Sequence, residues 1–429
     1  MPTEPSDSMR TPLLSKDQES HNVNISPEPF SQQTKTDDGT TPPTDVDKPE
    51  MEPGTFSHCG MALLTIPIFM GYACLNSMQH NIKTKLNIPD DNSPASHNFG
   101  VAVSFLYLGN LVFRLMHNFI FTFLTPRQRV ILSYVCIILS MNMLGWLIFV
   151  VEVTDLSVVF VGYALGGVGI GTFESNLISV ITPYGHRAKS WAVIGIPLGY
   201  NAVSVGGFFL LAADGSEGMT FAQYMIVFVA CVGGLSYFVL RVEDMPFESA
   251  RDNVSLFYQK AKEYPQWLPH IWLYTLALML DMFCVALFSS LSLYLFDMDQ
   301  IPLWTNGPKV PKNYFYAVYN LCSFLGDTTS RKLAYSDRAR HPMLFVIFSG
   351  IGAALVLSKI AILGPLGVLC IFFANGSIYA HTTRRIDQSV AHRYNLIALS
   401  VWLFVGDIGS FTGSNLVSYI KIWVGTVSS

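Results

Sequence analysis

Charge is what this sequence has least of. Only 13% of its 429 residues are Asp, Glu, Lys or Arg, against 51% hydrophobic, whereas soluble domains average roughly a quarter charged. A freely soluble enzyme of ordinary composition is excluded. No arginine-rich stripe suits a polyanion, so nucleic acid is not an expected partner. A phosphate-cradling glycine loop with Lys-Ser/Thr, a His-Glu-x-x-His and a Gly-x-Ser-x-Gly are all missing, which removes the machinery of an ATP-driven pump or an intramembrane hydrolase. Gly169-Ile170-Gly171 lacks the third glycine of a dinucleotide fingerprint. The seven cysteines, Cys59, Cys74, Cys136, Cys231, Cys284, Cys322 and Cys370, sit in or beside apolar runs with no C-x-x-C pair. Free thiols are expected, with no disulfide, metal or cofactor.

What is present is length in the apolar runs. Residues 1–57 are rich in Pro, Ser, Thr, Asp and Glu and carry 4 basic and 11 acidic residues, so the other 372 positions hold 22 and 19. The first stretch reads as a disordered tail, since it cannot bury enough surface to offset its ordering entropy. It holds no secretory signal, so the first span is expected to direct insertion. Thr11-Pro12-Leu13-Leu14 is a partial dileucine match, with Met9 where an acidic residue would stand. Eleven runs then follow, each long enough for a hydrocarbon core of about 30 Å, which takes about 20 helical residues: 58–79, 98–125, 129–151, 156–182, 188–212, 219–241, 268–295, 312–335, 341–360, 362–383 and 392–424. Gly406, Gly409 and Gly413 are candidates to bend the last of these.

Basic residues alternate from loop to loop. Fifteen fall on one side (Arg127, Arg129, Arg187, Lys189, Arg241, Arg251, Lys260, Lys262, Arg331, Lys332, Arg338, Arg340, Arg384, Arg385, Arg393) and five on the other (Lys83, Lys85, Lys309, Lys312, Lys359). The richer side is the cytoplasmic one, which puts the amino terminus inside and the carboxyl terminus outside. The segment 242–267 is then a cytoplasmic linker, with a surface helix expected within Arg251–Glu263. It divides a six-helix bundle, 58–241, from a five-helix bundle, 268–424. The expected fold is all-α, a polytopic membrane protein of eleven transmembrane helices in a six-plus-five arrangement like that of the major facilitators. In transporters of this plan two such halves rock about a site near the bilayer midplane, and a channel or a membrane-bound enzyme can share the plan.

Ionisable groups inside a membrane are costly and usually face a cavity or each other. Seven stand out: Arg114 and His117 in span 2, Glu174 in span 4, Asp281 in span 7, Asp327 and Arg331 in span 8, and Asp407 in span 11. Asp327 and Arg331, four apart, share a helix face and suit an ion pair, or a grip on hydroxyls and ring nitrogens of a neutral solute. Glu174 follows the glycine run Gly166-Gly167-Val168-Gly169-Ile170-Gly171, which presents a smooth packing face, and is a candidate proton or substrate site. Asp281 and Asp407 are further candidates for ion coupling or charge burial, either of them able to pair with Arg114. His381, Lys359 and Lys421 sit near span ends and are expected to snorkel. Asn76, Gln79, Asn110, Asn201, Asn320 and Asn375 read mostly as interhelical hydrogen-bonding groups.

Several of these residues carry a family resemblance. Phe324-Leu325-Gly326-Asp327-Thr328-Thr329-Ser330-Arg331 resembles the Asp-x-x-Gly-Arg signature of the equilibrative nucleoside transporters, with Ser330 in place of its glycine. Cys74-Leu75-Asn76 is similar to that family's Pro-aromatic-Asn element, and Ala374-Asn375-Gly376 to its Ser-Asn-Gly-Tyr stretch. The resemblance implies a secondary transporter that moves nucleosides or nucleobases by alternating access. It further implies that Asp327 and Arg331 contact the solute and that Asn76 lies beside the central cavity, with Glu174 near a glutamine that contacts the nucleoside. A carboxylate there suggests proton coupling. Gly169-x-Gly171 leading to Pro183, Tyr379 with Thr382, and Asp407-Ile408-Gly409 also resemble stretches of the lysosomal battenin family. A battenin-like or orphan major-facilitator carrier is therefore the alternative, and a non-transporting receptor or scaffold the second. The plasma membrane is the expected location, a lysosomal membrane the other.

The Asn-x-Ser/Thr matches at Asn24, Asn253 and Asn375 fall in the cytoplasm or in a span, so none should be glycosylated. The orientation makes a direct prediction: an acceptor site inserted within 300–311 is glycosylated in cells and one inserted within 242–267 is not, while the reverse pattern refutes it.

Overall fold

The computed structural model describes residues 58–89, 93–207, 217–243, 250–296, 298–336 and 341–424. The tail and its dileucine-like stretch lie outside these. A 3-10 turn, His58–Leu64, leads into α1 (Ile66–Ser77), continued after a break by α2 (Gln79–Lys85). Then come α3 (Pro94–Ile120), α4 (Pro126–Met141), α5 (Leu156–Ile181), α6 (Gly185–Ser204) and α7 (Glu217–Arg241). A short α8 (Ala250–Lys262) precedes α9 (Tyr264–Leu295), α10 (Lys312–Ser336), α11 (Val346–Leu357), α12 (Leu363–Ser389) and α13 (Asn395–Val424).

A helix occupies each of the eleven apolar runs. Eight stretches are long and apolar enough to cross a membrane: Cys59–Ser77, Pro94–Ile120, Pro126–Leu147, Leu156–Tyr184, Gly218–Arg241, Tyr264–Ser292, Leu363–Ser389 and Asn395–Val417. The other three runs hold α6, α10 and α11; α10 carries Lys312, Asp327, Arg331 and Lys332 within its length, and α11 has only 12 residues. The chain is a multi-pass membrane protein with an all-helical frame. Large apolar side chains such as Leu108, Ile226 and Ile347 point outward, as a lipid-facing surface requires.

Helix starts follow local chemistry. Ser93 caps α3 ahead of Pro94, and Thr125 and Gln128 cap α4 reciprocally, each side chain accepting from the other's backbone N–H at 3.1 Å. Asp155 accepts from the Ser157 N–H at 2.9 Å, which holds its carboxyl below the usual range. That cap is fully present above the ordinary aspartate pKa and is lost as pH falls through the lowered value.

Three features differ from expectation. Residues 300–311 hold a small antiparallel hairpin, β1 (Gln300–Pro302) on β2 (Lys309–Pro311), with Ile301 opposite Val310. Its Ile301 is buried with Phe296 and Phe315, and the Leu303 carbonyl accepts from the Ile362 N–H at 3.0 Å. The end of span 3 widens into a π-helical turn at Asn142–Leu147. His381 does not snorkel: it is buried and stacks on Phe345 with centroids 5.0 Å apart.

Packing runs α3 on α5, α4 on α5 and α7, and α1 on α6; further on it runs α9 on α13, α10 on α12 and α11 on α12. The described residues nevertheless form one compact unit. Close helix approach rests on glycine. A Cβ on Gly167 would meet the Leu106 carbonyl at 2.7 Å, one on Gly171 the Asn110 carbonyl at 2.6 Å, and ones on Gly409 and Gly413 the carbonyls of Met279 and Phe283 at 2.1 and 2.5 Å. The glycines of the last span therefore seat it against α9, and α13 runs unbroken. Accordingly, Gly409→Val should destabilise the detergent-solubilised protein by about 1–3 kcal/mol through forced separation of α9 and α13. At Gly350, inside α11, a Cβ meets nothing within 4 Å, so Gly350→Ala should hold or raise the thermal midpoint; equal losses in the two variants would refute this packing account.

Candidate functional site

The buried ionisable residues converge. Arg114, in the last third of α3, donates through Nη1 to the Glu174 carboxylate of α5 and through Nε to Oδ2 of Asp407 on α13 at 2.8 Å. Asn110, one turn earlier, donates to the same Asp407 oxygen at 3.3 Å. The other Glu174 oxygen accepts from the Tyr379 hydroxyl of α12. Tyr379 lies under the Arg331 guanidinium, 4.4 Å from its ring centroid. Arg331 in turn grips Asp327 with two bonds, Nε to Oδ1 at 2.8 Å and Nη2 to Oδ2 at 3.3 Å, and reaches the Val193 carbonyl of α6 at 3.5 Å. One line of groups thus runs Asp407, Arg114, Glu174, Tyr379, Arg331, Asp327, joining α3, α5 and α6 to α10, α12 and α13.

The glycine run of α5 makes this possible. Because Gly167 and Gly171 admit the backbone of α3, Glu174 comes within reach of Arg114, which no spacing rule within either helix would show. A second junction lies nearer the arginine-rich loops. Lys189 of α6, 1% exposed, pairs with Asp387 of α12, whose other oxygen accepts from Asn395 at 2.9 Å. Asn118 donates to Ser400 of α13 at 3.3 Å. His117 packs between Ser175, Asn118, Asn176 and Arg129. Its Nδ1 faces Arg129 and the Asn176 amide, both donors, and its Nε2 faces the Ser175 hydroxyl and the Asn118 amide. These contacts close one end of the molecule, the end that carries the arginine-rich loops. Arg129, Lys189 and Arg331, counted as loop charges from sequence, are all buried.

Toward the opposite end stands a different group. Asn76 of α1 accepts from the Tyr107 hydroxyl at 2.9 Å, and the Tyr72 and Tyr200 hydroxyls lie beside the same amide. Tyr72 and Tyr200 face each other at 6.1 Å between centroids. Tyr107 lies two turns before Arg114 on one face of α3, and Tyr200 two turns after Val193 on α6, so both extend the faces that carry the ionic line. Tyr107 and Tyr200 keep 46% and 36% of their surface open. Asp407 lies close enough to Tyr72 to act on it electrostatically.

Of the residues expected from sequence, Arg114, Glu174, Asp407, Asp327 and Arg331 meet in one line, and Asn76 stands beside it. Asp281 does not join: it accepts from Ser349 of α11 at 2.7 Å instead of pairing with Arg114. Asp327 and Arg331 are buried and turned to each other, so in this state neither offers a free group to a solute. Two motifs that carried the family resemblance do meet, since a Cβ on Gly376 would collide with Ser330 Oγ at 2.0 Å and the Asp327 carbonyl at 2.5 Å. Tyr72, Tyr107 and Tyr200 were not singled out from sequence, and Tyr379 entered only through the battenin resemblance. The signal for Tyr72 and Tyr107 was position, at whole turns from Asn76 and Arg114 in otherwise apolar spans, while Tyr200 adjoins Asn201. Among the described residues no group of three or more His, Cys, Asp and Glu is placed to hold a metal.

No family model and no curated protein matches the sequence. In three dimensions the likeness is broad. The E. coli fucose:proton symporter FucP, as a single-site variant, aligns with a TM-score of 0.62 at 16% identity, over 86% of this chain and 93% of that one. FucP in its outward conformation aligns at 0.60 and 15%, over 86% and 94%. The major facilitator proton:xylose symporter XylE, bound to 6-bromo-6-deoxy-D-glucose, aligns at 0.60 and 14%, over 86% and 89%. At these identities the likeness establishes architecture: this chain has the fold of the major facilitator transporters.

Proposed function

We propose that the chain is a secondary transporter moving a neutral ring-shaped solute, a nucleoside or nucleobase, by alternating access. The observation that carries this reading is the group of three tyrosines around Asn76, held just above a line of ion pairs that closes the opposite end. Aromatic faces stack on a base or on the C–H face of a sugar, and an amide with three phenolic hydroxyls offers paired donors and acceptors to ring substituents. Asp407 and Arg114 lie next along the same faces and would be the first charged groups a solute meets. The ion-pair line breaks when the two sets of helices rock apart, which would expose Asp327 and Arg331 to the solute from the arginine-rich side. Proton coupling through one of the buried carboxylates is part of the proposal. A free monosaccharide is the second reading, favoured by the fucose and xylose carriers among the structural neighbours.

Uptake of labelled adenosine, uridine, hypoxanthine, fucose and xylose, measured in cells lacking their own carriers after surface delivery is verified, tests this directly. Saturable uptake of a nucleoside or nucleobase is expected, and Asn76→Ala should weaken its apparent affinity by about tenfold or more, because hydroxyls left without a partner cost about 1–3 kcal/mol. Uptake of none of the five would sink the proposal. Asp327→Asn should reduce uptake with no loss of surface protein.

Arg114 provides a separate check. Arg114→Ala strands two buried carboxylates and should cost about 3–5 kcal/mol of stability. Adding Glu174→Gln and Asp407→Asn to it should restore much of the loss in a thermal unfolding assay; a triple variant no more stable than Arg114→Ala would contradict the pairing.

A further inference from the structure

The buried centre does not balance its charge. Glu174, Asp407, Asp327 and Asp281 are four carboxylates, and Arg114 and Arg331 are the two guanidiniums among them. Three of the carboxylates take a guanidinium. Asp281 takes none: it is 0% exposed, its Oδ1 accepts from Ser349 Oγ at 2.7 Å, and its Oδ2 is buried without a hydrogen-bond partner. The titratable groups acting on it are Asp327 and Arg331 of α10 and, one turn along its own helix, Cys284. From α11 it meets Ser349. Among the described residues of α12 and α13, which also pack on α9, no titratable side chain acts on it, and α13 sets Gly406 and Gly409 against the flanking Leu278 and Met279.

Magnitudes decide its form. An uncompensated carboxylate in a dry interior costs several kcal/mol even after relaxation, whereas a neutral acid whose O–H lacks an acceptor costs about 1–3 kcal/mol. Among the described residues no cluster of three or more His, Cys, Asp and Glu forms a metal site, and Ser349 Oγ is the single side-chain hydrogen-bond partner of the carboxylate. The vacant Oδ2 therefore fits a proton.

We propose that Asp281 is a proton-binding site within the last five long helices, separate from the Arg114 junction, occupied as the carboxylic acid in this state and coupled to transport through Arg331. The inference rests on the transporter reading for its consequence. When the Oδ2–H bond breaks and the proton passes to water admitted during rocking, the bonding pair stays on Asp281. Arg331 then has two carboxylates in range, Asp327 and Asp281, and is drawn away from the Val193 carbonyl and the Tyr379 ring. That loosens the link between α6 and α10 and between Glu174 and its phenol. Loading and unloading a proton at Asp281 would thus shift the balance between the closed and open states of the arginine-rich end.

Two measurements separate this from the function it serves. In infrared difference spectra of the purified wild-type protein titrated from neutral to alkaline pH, the C=O stretch of a buried carboxylic acid should be present and then lost, and Asp281→Asn should lack it from the start. An identical band in the variant overturns the site whether or not any solute is transported. In vesicles supplied with labelled uridine, Asp281→Asn should retain solute exchange between equal concentrations but lose accumulation driven by an imposed pH gradient. Retained gradient-driven accumulation, or accumulation driven by sodium alone, overturns the coupling. Should that variant not fold, Ser349→Ala serves: it removes the one donor that favours the ionised form and should move the midpoint of the infrared titration to higher pH. No movement would count against Asp281.

Discussion

A guanidinium shared by two carboxylates from different helices is the constraint on which the arrangement turns. Arg114 alone would be prohibitively costly at this depth, as would Glu174 or Asp407 alone. Each is tolerable only while the other two are within bonding distance. The positions of α3, α5 and α13 are therefore fixed together at one height, and Tyr379 and Arg331 extend the tie to α12 and α10. Apolar packing in a lipid solvent cannot specify such a register by itself, because lipid tails solvate leucine as well as another helix does. The polar line supplies that specificity, and it does so across the boundary between the first and second sets of helices.

The same tie is asymmetric along the membrane normal. Lys189 with Asp387, Asn118 with Ser400 and Arg331 with Val193 all gather near the arginine-rich loops, while the tyrosines around Asn76 stay partly open at the other side. Under the proposed transporter reading, a solute site bounded on one side by a small number of separable ion pairs is what alternating access requires physically, since those contacts can be exchanged for others when the state changes.

Much of the frame was legible in the sequence because it depends on composition over long windows. Runs of about 20 apolar residues mark eight of the long helices, whereas α6 and α10 carry polar and charged residues within their length. The candidate ion pairs were legible as residue types, since a charge in an apolar run is conspicuous, but their partners were not. Asp327 and Arg331 could be matched because they are four apart on one helix. Arg114 lies 60 positions from Glu174 and 293 from Asp407, so only tertiary placement decides that Asp407 and not Asp281 shares it. The tyrosines escaped notice for the opposite reason: an aromatic residue in a span is ordinary, and its role emerges only when three rings reach one amide. The hairpin at 300–311 is too short to show a strand pattern and depends on burying Ile301 under neighbouring helices.

The glycine seam between α9 and α13 has a consequence of its own. With Gly409 and Gly413 bringing the two backbones together one turn apart, and Gly406 admitting the Leu278 side chain beside them, these helices have little room in which to slide. They must travel as one strut. Asp281 rides on one member of that strut and Asp407 on the other, so the two carboxylates keep a fixed separation while the arginines on α3 and α10 change distance from both. A displacement that frees Asp407 from Arg114 carries Asp281 with it relative to Arg331, and two sites that share no bond are mechanically geared to each other.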